Sequence, residues 1–137
     1  MIFIVDDFRD GAEALCRLLT LDGYTCRWIA SGHEALAALR AHPPEQPVLV
    51  VLDDMMPEMD GVTVLRAIRA EPRIAGTPVI FHSAGFDIAK REEAINLGAL
   101  GWFFKGGTGS MDTRTIIKRI AEIYERVGGA KAAPRNP

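Results

Sequence analysis

The chain has 137 residues, a length that suits one domain built around one hydrophobic core. Its content of 48% hydrophobic and 25% charged residues is ordinary for a soluble globular protein. The formal net charge of -2 argues against general nucleic-acid binding, and no apolar run is long enough to span a bilayer. No secretory signal pattern precedes the first apolar run, so we expect a cytoplasmic protein that binds neither nucleic acid nor membrane directly.

The first half of the chain predicts three strands separated by two helices. The strands are the apolar runs at residues 2–5, 24–30 and 48–52. The first helix covers residues 10–21 and is stopped by Gly23. The second helix begins at Ser31, whose spacing to Glu34 is typical of a capping box, and it ends before Pro43.

The second half continues the alternation of helix and strand. Apolar residues at helical spacing predict helices over residues 62–70, 87–97 and 112–127. Two further strands are predicted at residues 79–82 and 100–104. The inward face of the last helix is predicted to consist of Ile116, Ile117, Ile120, Ile123, Tyr124 and Val127.

Two cysteines, Cys16 and Cys26, fall in the predicted first helix and second strand. Neither belongs to a C-x-x-C or Cys/His pattern, so metal binding by these residues is not indicated. We expect two reduced, buried or half-buried thiols, as is usual in a cytoplasmic protein.

The stretch from Val48 to Gly61 organises the rest of the chain. Five apolar residues predict a strand buried on both faces, as in a parallel sheet, and the run stops at Asp53. Pro57 and the pair Asp60–Gly61 then indicate a turn. In an open parallel α/β sheet, ligands bind beyond the carboxyl ends of the strands, so Asp53 stands where chemistry is expected.

The whole pattern predicts an α/β domain with a doubly wound parallel sheet and right-handed crossovers. Polar residues follow four of its five strands. Asp6 and Asp7 follow the first strand and Asp53 follows the third, while Ser83 follows the fourth and Lys105 follows the fifth. Because the carboxyl ends of parallel strands share one edge, these side chains are expected to meet in one site. Three crowded carboxylates would either hold a proton or recruit a cation such as Mg²⁺.

These residues and their spacing resemble the receiver domain of two-component response regulators, over residues 2–127. The resemblance implies a five-stranded sheet in the order 2-1-3-4-5 with helices on both faces. It implies a receiver domain over residues 1–127, and the composition of residues 128–137 predicts a flexible tail. The motifs that carry the resemblance are Val5-Asp6-Asp7, Leu52-Asp53, Met56-Pro57, Met59-Asp60-Gly61, Ser83-Ala84, Ala94 before Gly98-Ala99, and Lys105.

The resemblance also implies a chemistry for the site. Asp53 would be the nucleophile that accepts a phosphoryl group, a known role for carboxylates. Mg²⁺ would be bound directly by Asp7, Asp53 and the backbone carbonyl of Met55, and through water by Asp6. Two further residues would contact the phosphoryl oxygens; these are Ser83, through a hydrogen bond, and Lys105, through an ion pair.

Several nearby polar residues have simpler interpretations. Asp54 lies one residue past the acceptor position and is expected to be solvated. Asp60 is expected to serve the turn with Gly61. His82 is expected to be a partly buried, satisfied histidine, and Arg9 to lie on a solvated face.

The sequence departs from the family at two positions. Gly106 follows Lys105 where the family usually has proline, often after a cis bond. A cis bond without proline costs about 3 kcal/mol, so the geometry of the loop from Gly106 to Gly109 is left open. Trp102 stands where the family usually has the smaller Tyr or Phe of its switch, and its bulk is expected to hinder the inward swing of that ring.

The leading interpretation is a single-domain response regulator phosphorylated by a histidine kinase or a histidine phosphotransfer protein. Its output would be protein contact through the helix at 87–97, the fifth strand and the last helix, since the tail is too short to form a DNA-binding module. One alternative is an enzyme of phosphatase or phosphotransferase type, against which Met55 argues because such enzymes usually have an acid at that position. Another is a receiver-like scaffold that never accepts phosphate.

Overall fold

The computed structural model describes residues 1–106 and 112–133, which form one sheet with helices on both faces. The strands are β1 (Ile2–Val5), β2 (Cys26–Ile29), β3 (Leu49–Leu52), β4 (Val79–Ser83) and β5 (Trp102–Phe104). The helices are α1 (Arg9–Leu21), α2 (Gly32–Ala41), α3 (Gly61–Ala70), α4 (Ile88–Asn96) and α5 (Thr113–Arg126). Strand and helix alternate five times, as the sequence predicts.

All neighbouring strands of the sheet are parallel, in the order β2-β1-β3-β4-β5. This confirms the predicted doubly wound α/β fold. Val5 of β1 lies opposite Leu52 of β3. Asp53, the first residue after β3, donates its N–H to the Val5 carbonyl at 2.9 Å. Lys105 donates its N–H in the same way to the Ser83 carbonyl at 3.0 Å. The register therefore brings the polar strand ends to one edge.

The strands supply alternate residues to two hydrophobic cores, because successive side chains of a strand point to opposite faces. Phe3 and Val5 of β1 join the core beneath α2, α3 and α4. Ile2 and Ile4 join the core beneath α1 and α5. The central strand β3 is fully buried on both faces, as its unbroken apolar run predicts.

Two predicted strands are shorter by two residues or more in the structure than in the sequence pattern. The segment predicted as a strand from Tyr24 contributes only Cys26–Ile29, because the Tyr24 N–H donates instead to Leu19 at the end of α1, at 3.0 Å. The fifth strand begins at Trp102 and not at Leu100. The helix caps agree better with prediction, since Ser31 accepts the N–H of Glu34 at 3.2 Å.

Cys16 and Cys26 form a disulfide in this structure, so the expectation of two reduced thiols is wrong here. Their Cα atoms lie 5.5 Å apart, within the usual range for a bridged pair. The pairing arises because α1 packs beside β2. That contact is tertiary, and the local spacing of the two cysteines does not reveal it.

The segment predicted as a flexible tail is described as far as residue 133 and contains neither helix nor strand there. Its first part lies against the domain. The Gly129 N–H donates to the Tyr124 carbonyl at 2.8 Å, and the Ala132 N–H donates to the Gly23 carbonyl at 2.7 Å. Across residues 1–106 and 112–133, the helices are all too short or too polar to cross a membrane.

Candidate functional site

Three carboxylates meet at the carboxyl edge of the sheet. Asp6 and Asp7 follow β1, Asp53 follows β3, and one oxygen of each lies within 4.8 Å of the others. Asp6 and Asp53 are buried, whereas Asp7 is exposed. Hard carboxylate oxygens at this spacing, open to solvent on one side, fit a divalent cation that keeps part of its water shell.

Lys105 reaches into the same cluster from the end of β5. Its ammonium group forms an ion pair with Asp6 Oδ2 and lies 3.6 Å from Asp53 Oδ2. The lysine side chain is 25% exposed, so the two buried acids share a partly shielded positive charge. An ammonium group in this position partly offsets the repulsion between the carboxylates.

The acceptor candidate Asp53 has a raised pKa. Burial is the main cause, because it disfavours the charged form, and the nearby Asp6 carboxylate adds to it. The Lys105 ammonium, the Ser83 hydroxyl and the Met55 N–H act in the opposite direction. Burial prevails over these three groups, so the pKa of Asp53 is raised, and the same electrostatics favour an added cation at this site.

Backbone and hydroxyl groups complete the surroundings of Asp53. The Met55 N–H donates to Asp53 Oδ1 at 3.3 Å. The Ser83 side chain is fully buried, and its Oγ accepts the N–H of Gly85 at 3.3 Å. The polar residues predicted from the strand ends therefore do meet around one carboxylate.

Comparison with known proteins agrees with this geometry. The sequence model of the response regulator receiver domain matches residues 2–121. The chain belongs to the response regulator receiver family. Receiver domains of this family belong to two-component signalling, in which they work with histidine kinases.

Two kinds of relatives are similar to this receiver domain. The transcriptional regulatory protein GltR of Pseudomonas aeruginosa is 31% identical over 91% of this chain and 49% of its own length. The solved chemotaxis protein CheY4 of Vibrio cholerae is 25% identical, with a TM-score of 0.74 over 92% of this chain and 96% of that one. The solved receiver domain of a histidine kinase from Syntrophus aciditrophicus is also 25% identical, with a TM-score of 0.75 over 98% and 96%. The chain spans about half the length of the curated relatives it matches.

Trp102 of the receiver domain lies inside the core, which corrects the expectation that its bulk would keep it from swinging inward. The residue is only 9% exposed. Its ring stacks on Phe81, with centroids 4.7 Å apart and planes 10° apart. The flat indole fits because Phe81 offers a parallel face, which no local sequence pattern predicts. Within the described residues, the buried Trp102 Nε1 has no hydrogen-bond partner.

Asp54 is the second correction, because it is buried and not solvated. Its Oδ1 accepts the N–H of Val62 at 3.1 Å, and its Oδ2 lies 3.2 Å from the ammonium of Lys90. Asp60 caps α3 by accepting the N–H of Thr63 at 2.8 Å, in keeping with its predicted role in the turn. The pairing of Lys90 with Asp54 has no signal in the sequence, since Lys90 is one of several charged residues on its helix.

The remaining interpretations concern the borders of the site. Burial lowers the pKa of His82 to about 4, with the Lys105 ammonium as the next cause, so the imidazole is neutral. Arg9 is exposed and pairs with Glu13 at 3.1 Å, as expected for a solvated face. Gly106 adopts φ +63°, and no peptide bond in the described residues is cis. Residues 107–109 of the glycine loop lie outside the described residues.

Proposed function

We propose that this receiver accepts a phosphoryl group on Asp53, from a histidine kinase or a histidine phosphotransfer protein, with Mg²⁺ as cofactor. One observation carries the proposal. The buried carboxylate of Asp53 lies at a strand end, next to the carboxylates of the buried Asp6 and the exposed Asp7. An ammonium group and a hydroxyl group also lie beside it. This is the donor set that phosphoryl transfer to an aspartate needs.

The metal would be held by the acidic cluster. In the proposal, Asp7, Asp53 and the Met55 carbonyl bind Mg²⁺ directly, and Asp6 binds it through water. The site suits this ion because one oxygen from each of the three carboxylates lies within 4.8 Å of the other two. When bound, Mg²⁺ would supply positive charge for the phosphoryl oxygens during transfer.

The protein's own groups would perform the other parts of the transfer. An oxygen of Asp53 forms the new bond to phosphorus while the bond from phosphorus to the donor breaks, and the donor leaves with that electron pair. Lys105, now paired with Asp6, would turn toward a phosphoryl oxygen. The Ser83 hydroxyl, which is already close to Asp53, would donate a hydrogen bond to another.

In this proposal, phosphorylation changes how the receiver binds a partner protein. The partner would bind the surface formed by residues 87–97, the fifth strand and the last helix. Ile88 and Ile95 are exposed on this surface, and Leu100 is exposed just before the fifth strand. Exposed apolar side chains on a charged helix suit a protein partner better than nucleic acid. The receiver would catalyse only its own phosphorylation and dephosphorylation, in the cytoplasm.

The test is phosphorylation by a small donor. The chain is incubated with acetyl phosphate and Mg²⁺, and intact-mass spectrometry counts the phosphoryl groups gained. We expect one group on the wild type and none on Asp53→Asn, because an amide is a poor nucleophile and a weaker metal ligand. The matched control is Asp22→Asn, which changes an exposed aspartate at the end of α1 and should be labelled normally. Equal labelling of Asp53→Asn and wild type would show that the acceptor lies elsewhere.

A further inference from the structure

The loop that follows the acceptor is closed by Asp54. The backbone carbonyl of this residue accepts the N–H of Met56 and the N–H of Gly61, both at 3.0 Å. Its carboxylate accepts the N–H of Val62 at 3.1 Å. Three donors from the loop and from α3 thus converge on one buried residue, which fixes the start of the loop to its end.

Lys90 joins the same loop to a different helix. This residue lies in the first turn of α4, and its Nζ is 3.2 Å from Asp54 Oδ2 and 3.1 Å from Asp60 Oδ2. Asp54 opens the loop and Asp60 ends it, so one ammonium group bridges both ends. The Asp54 side chain is 6% exposed and that of Lys90 is 39% exposed. The buried acid therefore relies on this lysine for its opposite charge.

The loop between these two aspartates contains a strained residue. Glu58 has φ +68°, a left-handed conformation that costs a non-glycine residue free energy. Such a conformation persists only where the surrounding structure holds it. Asp54 and Asp60 stand on either side of Glu58 in the chain, and Lys90 joins them. This link restrains the loop that contains Glu58.

The position of this loop bears directly on the acceptor, because the Met55 N–H donates to Asp53 Oδ1 at 3.3 Å. We propose that Lys90 is a positioning residue that clamps the Asp54–Asp60 loop and so sets the orientation of the Asp53 carboxylate. The inference rests on the proposed function only in the part that concerns phosphorylation. The clamp itself is a property of the protein without metal or donor.

A second ion pair provides a matched control. Arg66 of α3 pairs with Glu93 of α4 at 2.6 Å, and both side chains are well exposed. This pair joins α3 to α4 as Lys90 joins the loop to α4, whereas the ion pairs of Asp54 and Asp60 are made with Lys90. Its removal perturbs the packing of the two helices without opening the clamp.

The experiment compares Lys90→Met, Lys90→Arg and Arg66→Met. Amide hydrogen exchange is followed by NMR without metal or donor, at Met56, Gly61 and Val62, whose N–H groups donate to Asp54. Phosphorylation by acetyl phosphate with saturating Mg²⁺ is then timed. We expect Lys90→Met to exchange faster at these amides and to label Asp53 on the order of tenfold more slowly, less than the about 10²-fold that a 1 Å misplacement can cost.

Lys90→Arg keeps the positive charge and should restore much of both properties, whereas Arg66→Met should match the wild type at the three amides. Lys90→Gln, which keeps a donor without the charge, replaces Lys90→Met if the latter does not fold. Unchanged protection in the uncharged variant overturns the clamp. Faster exchange with an unchanged labelling rate overturns the positioning role. Absence of labelling in the wild type refutes the proposed function, while the exchange data still decide whether the clamp exists.

Discussion

Replacing Gly61 with alanine tests how closely α3 packs against the end of β3, next to Asp53. A Cβ added at Gly61 would lie 2.5 Å from the Asp53 carbonyl oxygen, 2.8 Å from the Asp54 Cα and 2.8 Å from the Phe81 ring. Two of these three atoms belong to the backbone and cannot rotate away. Since real Cβ atoms keep at least 3.0 Å from such neighbours, α3 and the end of β3 must separate by roughly 0.5 Å, as expected where an overpacked core shifts the backbone.

The expected cost follows from two opposing effects. Overpacking typically costs 1–3 kcal/mol, and we take about 3 kcal/mol here because backbone opposes the new methyl group. Alanine recovers up to about 1 kcal/mol through its higher helix propensity. Gly61→Ala should therefore lower the free energy of unfolding by about 2 kcal/mol. It should also slow phosphorylation, because the displaced atoms include the backbone of Asp53.

Urea unfolding followed by circular dichroism measures the change in stability, and acetyl phosphate labelling measures the rate. Gly76→Ala is the matched control, since a Cβ there meets no atom within 4 Å. That variant should be neutral or gain about 0.4–1 kcal/mol through the unfolded state. If Gly61→Ala were as stable as Gly76→Ala and labelled at the wild-type rate, the close approach of α3 to the end of β3 would be refuted.

Two further predictions concern the charge of Asp53 and the mobility of Trp102. Burial raises the pKa of Asp53 above its ordinary value of 3.8, so the folded chain holds this proton more tightly than the unfolded chain does. The stability gained from the proton is present at low pH and lost as pH rises through the folded-state pKa. Without metal, the free energy of unfolding of Asp53→Asn relative to that of the wild type should therefore increase from acid to neutral pH. A difference between the two proteins that stays constant with pH in urea unfolding would contradict this. In a Trp28→Phe background, beryllofluoride should shift Trp102 emission to the red and increase its quenching, because the ring starts buried, and Ser83→Ala should remove the change. Full modification of Asp53 with unaltered emission would show that Trp102 does not switch.

The order of the strands and helices, and the residues that meet at the sheet edge, could be predicted from the sequence. Strands buried in a parallel sheet have short, continuous apolar runs in their sequence. Asp53 is recognisable because it ends such a run at its carboxyl end. The parallel sheet then brings Asp6, Ser83 and Lys105 to the same edge. These predictions succeed because the spacing of apolar residues is a property of the chain, and the order of the strands follows from the topology of the sheet.

Which side chains pair with one another could be learned only from the folded structure. Asp54 looked solvated and is buried, because it meets Lys90, which lies 36 residues away on another element. Trp102 is turned inward because Phe81 offers it a parallel face. Cys16 and Cys26 bond because α1 packs beside β2. Each of these contacts depends on how two elements are placed against each other, and hydrophobic periodicity records which face of an element is buried but not which residue lies opposite.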